Sequence, residues 1–448
     1  MSNERQIEIL KEKKNKINSV SCSFCTAKWL QTTLYLQTGY NHSCHHPAPH
    51  KIPLEEIEAD PAALHNSKFK KEQRAMMLKG ERPSECDYCW KIEDLDKEYF
   101  SDRHYKTADY WAWDKFEDIA KGNPQDNVSP SYLEVSFSNA CNFACAYCSP
   151  EISSKWMEDI NQHGPYSTNN GSSKYVYKQS DNNPYVDAFW KWFPTILKDL
   201  RVLRITGGEP TMSKDLWKLL DFLIDNPQDF EVAINTNLGV PDKLINKLIN
   251  KINALYKVGM KVDVYTSAES TGVQNNYVRD GMDYTLWYKN VNRILTETTS
   301  NVLIMTTINI LSLPEFSNFI EDIMQLRKKY NFNLEENRIP ISINYLRWPK
   351  HLQTTLLDKE KRIQYANQIE STCNSWSKYS SKDRYARMYL EELDQIKRFC
   401  HYLKISEPAI EYRNDFCKYI LEYDKRRNKN FKDTFPEYAS LLEEWHAS

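Results

Sequence analysis

Three cysteines fall within eight residues, Cys141-Asn-Phe-Ala-Cys145-Ala-Tyr-Cys148, so one short loop offers three thiolates to a single metal group. Thiolates hold iron–sulfur clusters, and a [4Fe-4S] cube normally takes four of them. With no fourth cysteine close in sequence, three ligands leave one iron open, by the logic that separates a reactive three-ligand zinc site from a closed four-ligand one. An open iron binds a substrate or a cofactor. On its own the triplet fits a zinc knuckle or buried free thiols as well as it fits a cluster, because cysteine is a commonly buried residue.

A second motif, Ile205-Thr-Gly207-Gly208-Glu209-Pro210, stands out because glycine is scarce, 11 in 448 residues. Two adjacent glycines let backbone carbonyls approach a ligand, and Glu209 offers a carboxylate to an ammonium group. The plainer reading is a turn at the end of a strand. A third group lies nearer the N-terminus: Cys22, Cys25 and Cys44, then Cys86-Asp-Tyr-Cys89. Residues 34–39 read as a strand ending in a hairpin turn, which carries Cys44 back towards Cys25. Two four-thiolate sets remain open: Cys25, Cys44, Cys86 and Cys89 with Cys22 spare, or the two CxxC pairs of Cys22, Cys25, Cys86 and Cys89, which look like a structural zinc ribbon. His45 and His46 are further candidate ligands or a solvated pair. Cys373, Cys400 and Cys417 have no metal-like spacing and read as buried or idle thiols.

The elements that must position these residues alternate in type. Strands are expected over 132–137, 202–206, 231–236, 262–266, 302–310 and 341–346, all rich in Val, Ile, Thr or aromatics. Between them amphipathic helices are expected over 186–200, 213–224, 241–255, 283–296 and 314–330, each starting near a capping residue or proline. Such alternation implies a parallel sheet with helical crossovers, open or closed into a barrel. The triplet directly follows the first strand and the glycine pair ends the second, at the strand ends where ligands bind in parallel α/β folds. Residues 161–184 read as a long polar loop. Three parts result: residues 1–130, a cysteine-bearing module; 131–350, the β/α core; and 351–448, a helical region with helices expected over 383–402, 411–427 and 438–445.

The triplet after a first strand, with the aromatic Tyr147 just before its third cysteine, and the Gly207-Gly208-Glu209-Pro210 segment ending the second, resemble the signature of the radical S-adenosylmethionine (radical SAM) superfamily. The resemblance implies a partial (β/α)6 TIM-like barrel in which Cys141, Cys145 and Cys148 bind a [4Fe-4S] cluster. Its free iron is then chelated by the amino and carboxylate groups of S-adenosylmethionine, with Tyr147 beside the adenine and the glycine–glutamate segment on the methionine amino group. Ser267 and Glu269 after the fourth strand, like Asn235, Thr236 and Asn237 after the third, are implied to face the ribose hydroxyls. Arg279 and Asn309 are implied to reach the methionine carboxylate or the adenosyl group. Each of these is equally a cap, turn or surface residue by its own sequence. The implied chemistry is reductive cleavage to methionine and a 5'-deoxyadenosyl radical that removes a hydrogen from the substrate, with an electron donor such as flavodoxin or ferredoxin.

Residues 1–130 resemble the twitch module, which binds one auxiliary [4Fe-4S] cluster, here implied at Cys25, Cys44, Cys86 and Cys89 with zinc as the alternative. The order of modules resembles that of twitch-domain radical SAM proteins over nearly the whole chain. Because such relatives often modify peptides or proteins, a peptide side chain is the first expected substrate, and a sugar or nucleotide-linked small molecule the second; the auxiliary cluster is implied as either an electron exit for oxidising the substrate radical or a direct substrate ligand, and four protein cysteines favour the electron role. A zinc- or cluster-binding interaction protein without turnover is the reading from another class, and it has no use for Gly207, Gly208 and Glu209.

Composition bounds the rest. A formal charge of -2 and a pI near 6.6 give no global attraction to nucleic acid or anionic membrane. Nowhere is there a run of ~18 apolar residues, and the charged N-terminal stretch does not resemble an export signal. A cytoplasmic protein with thiolates for metal or redox work is expected, rather than one stapled by disulfides.

Overall fold

The parallel ladder begins one strand earlier than the periodicity predicts. Strand β1 (Gln31–Tyr35) is followed by a turn in which the Thr38 and Gly39 amides both donate to Tyr35 O. β2 (Tyr40–His42) returns antiparallel to it, and β3 (His50–Lys51) pairs antiparallel with β2. The strand expected over 34–39 is therefore displaced towards the N-terminus, because the buried Thr32 and Thr33 extend the β-branched run while Gln37, Thr38 and Gly39 are used by the turn. Gly39 has φ +68°, and a Cβ there would fall 2.1 Å from the Tyr185 ring, so only glycine fits.

In the computed structural model, which describes residues 3–96, 98–168, 174–331, 336–377 and 385–446, the chain divides into two compact units. The first comprises Met1–Ser138, Val176–Gly207 and Asp225–Ala233. Within it β1 runs parallel to β4 (Tyr132–Ser136), Gln31 opposite Tyr132, and β4 runs parallel to β5 (Val202–Thr206), Tyr132 opposite Val202. The N-terminal segment thus shares a ladder with the first strand of the β/α core. Phe24, Trp29, Trp90, Trp111 and Phe116 form a buried aromatic core around the N-terminal cysteines. The first three residues of β6 (Glu231–Asn235) also belong here.

The second unit comprises Asn139–Tyr175, Gly208–Ile224 and Ile234–Ser448. β7 (Val262–Ser267), β8 (Val302–Met305) and β9 (Ile341–Ser342) pair in parallel in that order. β8 and β9 are shorter than predicted because the Thr306 hydroxyl takes the carbonyls of Ser342 and Asn344, after which a single bridge, Ile308 to Tyr345, continues the ladder. The helices Lys214–Asp225, Asp242–Lys257, Tyr284–Glu297 and Phe316–Tyr330 stand within a few residues of their expected places. Asp283 caps one of them by accepting from the Thr285 and Leu286 amides. The C-terminal region is helical, with Lys359–Ser375, Leu390–Ile405, Arg413–Arg427 and Leu441–His446; part of the helix expected over 383–402 lies outside the described residues. The fold is mixed α/β on parallel strands, in the β/α succession of a partial TIM-like barrel. Among the described residues no helix is long and apolar enough to cross a membrane.

Candidate functional site

The cysteine triplet occupies the loop after β4, and its backbone is fixed from outside. Ala144 N donates to Asp280 O and Ala146 N to Val278 O, both at 2.8 Å, so the loop lies along the segment that carries Arg279. Its carbonyls are also claimed. Ser153 Oγ donates to Phe143 O (2.6 Å), the Trp156 indole to Cys145 O (2.7 Å) and the Tyr419 hydroxyl to Ala146 O (2.6 Å). Ser153 also caps the helix Ser154–His163 by accepting from Trp156 N, so one serine sets both the helix that brings Trp156 and the loop that Trp156 holds. This helix takes in Asn161 and His163, where the sequence suggests polar loop, and of that stretch residues 169–173 lie outside the described residues.

Close packing completes the loop. Phe143 fills a space made by two glycines: a Cβ on Gly239 would meet its ring at 2.2 Å, and one on Gly281, which has φ +97°, would meet Asn142 O at 2.6 Å. Burial, and the neighbouring thiols after it, raises the Cys141 thiol far above its ordinary value and pushes Cys148 up to about 12. Thiols that resist ionisation alone, held in a fixed loop, are a donor set that becomes thiolate only when a thiophilic cation compensates the charge.

The glycine–glutamate segment is bonded to this loop. Glu209 N donates to Ala140 O (2.7 Å), the residue before Cys141, and a Cβ on Gly208 would strike the carbonyls of Ala140, Ile152 and Asn139 at 2.5–2.8 Å. Gly207, at φ +129°, packs as closely on Ser136 and Ser138. Pro210 is buried and opens a short 3-10 turn. The Glu209 side chain is 1% exposed. Its Oε1 accepts from the Thr211 amide (3.0 Å) and the hydroxyls of Thr211 (2.6 Å) and Thr236 (2.8 Å), and its Oε2 accepts from Asn237 N (2.6 Å). Burial nevertheless raises its pKa above the usual carboxylate value, despite those bonds. Thr236 and Asn237 therefore serve Glu209, and Asn237 also donates to the Asn142 side chain (2.8 Å) within the triplet. Asn309 closes a local turn, with its side-chain amide on Thr307 O and its Oδ1 accepting from Leu311 N.

Glu269 and Arg279 form a buried pair, the guanidinium donating to both carboxylate oxygens, Nη2 to Oε2 at 2.7 Å. Tyr147 donates its hydroxyl to Glu269 Oε1 (3.0 Å), and its ring lies 5.6 Å from the Arg279 guanidinium. Arg279 Nη1 in turn stands 3.9 Å from Cys145 Sγ. Both oxygens of Glu269 are thus spent on orienting Arg279 and Tyr147, while Ser267 ends β7 opposite Met305. The sequence signals missed were Ser153, Trp156 and Tyr419: only a capping serine before an amphipathic stretch hints at the first, and nothing local marks the others.

In the first unit Cys25, Cys44, Cys86 and Cys89 line one small cavity, together with Lys28, His46, Asp102 and Arg103. Cys86 and Cys89 sit at the start of the helix Asp87–Leu95. Burial raises all four thiols, Cys89 to about 11, and each is raised further by at least one other of the set except Cys44, which Asp102 raises. Cys22 is exposed, its thiol on Gly80 O at 3.2 Å, and is not part of that lining. His46 is stacked on Tyr88 and bonded to Asp102 (2.5 Å), and His45 is exposed. Cys373, Cys400 and Cys417 are buried among the C-terminal helices. Among the described residues no three His, Cys, Asp or Glu side chains are drawn together around a single-ion position.

Residues 135–328 match the family model of the Radical SAM superfamily. Among curated proteins it is similar to GTP 3',8-cyclase of Aliarcobacter butzleri, 30% identical over 132 residues, which are 30% of this chain and 34% of that one. It is also similar to GTP 3',8-cyclase of Nautilia profundicola, 26% identical over 193 residues, 42% of this chain and 52% of that one. The first such relatives are matched over about a third of their length, 28–34%. Among solved structures, SuiB of Streptococcus suis bound to S-adenosylmethionine aligns at 13% identity and a TM-score of 0.39, over 76% of this chain and 68% of that one.

Proposed function

We propose that the chain is a radical SAM enzyme whose cluster is held by Cys141, Cys145 and Cys148 and whose S-adenosylmethionine is held by Gly207, Gly208, Glu209 and Pro210. The observation that carries this reading is the direct bond between the two motifs, Glu209 N to Ala140 O, which sets a buried carboxylate beside the thiol loop. When bound, cluster and cofactor supply the chemistry: one electron entering the sulfonium releases methionine and a 5'-deoxyadenosyl radical, which takes a hydrogen atom from the substrate.

The chain's own residues bind and orient. Glu209, braced by four hydrogen bonds, meets the cofactor ammonium, and the cation favours the ionised carboxylate that burial disfavours. Arg279, held by Glu269, presents a guanidinium edge for the methionine carboxylate, and Tyr147 is fixed by the same glutamate as a wall for the adenine. Ser267 is left for the ribose. Buried surroundings keep water and other quenching groups from the radical.

Cys25, Cys44, Cys86 and Cys89 hold an auxiliary [4Fe-4S] cluster in a twitch-like module, with zinc as the competing occupant. Four protein ligands close that group to substrate and suit it to take an electron from the substrate radical, which is thereby oxidised. A cytoplasmic flavodoxin or ferredoxin supplies the reducing electron. A peptide side chain is the first substrate, on the strength of the module pairing. The second reading, a nucleotide, is favoured by the similarity to GTP 3',8-cyclases. Anaerobic reconstitution with iron and sulfide, followed by assay of 5'-deoxyadenosine from S-adenosylmethionine and dithionite, tests the class. About eight irons per chain with deoxyadenosine formed is the expected result; no iron and no cleavage overturns it. Adding GTP or candidate peptides then separates the two substrates by which one is consumed.

A further inference from the structure

The wall of the four-cysteine cavity and the layer behind it carry buried basic side chains. Lys28 lies on its wall with Cys86, 2% of its side chain exposed, and is paired with Glu85. Arg103, on the same wall, is matched by Glu93 (2.7 Å), and His46 by Asp102. Behind Lys28 stand Lys70 and Arg74, both fully buried. Lys70 Nζ donates to Gln31 O (3.0 Å) and His65 Nδ1 (2.9 Å), and Arg74 donates to Lys28 O (3.2 Å) and Asn66 Oδ1 (2.9 Å). Among the described residues these hydrogen bonds bring Arg74 no carboxylate, while burial, with Arg74 and Lys28 beside it, holds Lys70 well below the usual lysine value and disfavours its charged form. Buried charges without a counter-charge are strongly unfavourable.

We propose that Lys28, with the buried Arg74 guanidinium behind it, is a positioning residue that sets the reduction potential of the group held by Cys25, Cys44, Cys86 and Cys89 and favours its reduced state. The inference rests on the reading of these cysteines as iron–sulfur ligands. A cluster on four thiolates is an anion, and one-electron reduction adds a further negative charge. Hydrogen bonds to the sulfurs and nearby cations favour that added charge and raise the potential. A Lys28 that merely pairs with Glu85 for stability would alter melting and leave the potential where it was.

The test uses the full chain with Cys141, Cys145 and Cys148 replaced by alanine, so that only the N-terminal cluster is read. The protein is reconstituted with iron and sulfide and titrated potentiometrically with dithionite, followed by electron paramagnetic resonance. Lys28→Met is expected to shift the midpoint to more negative potential, and Lys28→Arg to restore it towards the parent value. Glu85→Gln, which removes the carboxylate that offsets Lys28, is expected to shift it the other way. Loaded Lys28→Met and Glu85→Gln proteins with unmoved potentials overturn the proposal while leaving the cluster reading intact. Zinc, or no metal, in the parent protein overturns the cluster reading and the proposal with it. If Lys28→Met fails to load, the direction of the Glu85→Gln shift decides.

Discussion

The two cysteine sets are built in opposite ways. The triplet of the second unit comes from one loop, and its geometry is imposed from outside through backbone carbonyls held by Ser153, Trp156 and Tyr419. The quartet of the first unit is gathered from three separated segments around a cavity, and what surrounds it is charge: Lys28, Arg103, Asp102 and His46. A loop with three thiols and a nearby buried carboxylate suits a group that must leave a position open. A four-thiol cavity backed by cations suits one that is closed and exchanges electrons. On the proposed reading, chemistry at the metal and tuning of the metal would fall to different kinds of scaffold, a clamped backbone and a charged wall.

The largest effect that separates the two sets is loss of turnover. Cys145→Ala is expected to abolish 5'-deoxyadenosine formation, whereas Cys89→Ala should lower bound iron by about half yet leave some uncoupled cofactor cleavage; equal and complete loss in both breaks the division of roles. Next is packing at the triplet. Gly239→Ala puts a methyl group on the Phe143 ring and should destabilise the protein by about 1–3 kcal/mol, seen as a lower melting temperature and faster release of iron from the triplet to a chelator. Tyr419→Phe removes one hydrogen bond from a buried carbonyl and should cost about 1–2 kcal/mol, again with faster chelation at the triplet and none at the quartet. A similar rate change at both sites would mean that the clamp is not specific.

The smallest effect is in protons. A thiol whose pKa is raised, as for Cys89 near 11, is protonated at neutral pH before loading, so metal entry expels its proton and loading is favoured as pH rises. Titration in weak buffer should record release of about four protons on loading the quartet near pH 7, falling as pH approaches the raised values. Release near zero would mean that the thiols are already ionised in the empty chain.

Local signals carried much of the architecture: β-branched runs place β4 to β7 within a residue or two, and capping residues such as Asp283 mark where helices begin. β8 and β9 were overestimated because hydrophobic pattern continues past the point where Thr306 diverts the ladder. The triplet and the glycine–glutamate segment were legible because each is contiguous. The choice between quartets was legible only through the hairpin turn at Gly39, since spacing alone treats Cys22 and Cys44 alike; that turn brings Cys44 to the cavity that Cys22 does not line. The clamp was invisible for a related reason. A tyrosine on a C-terminal helix that donates to one distant carbonyl has no signature in its own neighbourhood.

That clamp also imposes an order in time. Ala146 is held by a residue 273 positions later in the chain, so as the protein emerges from synthesis the triplet, its glycine–glutamate partner and every strand of the β/α core precede the hydroxyl that closes the loop. A metal group delivered early meets thiols on an unrestrained loop, and one delivered after release meets them already set. The helix Arg413–Arg427 thus ties the setting of the triplet loop to a segment made well after it.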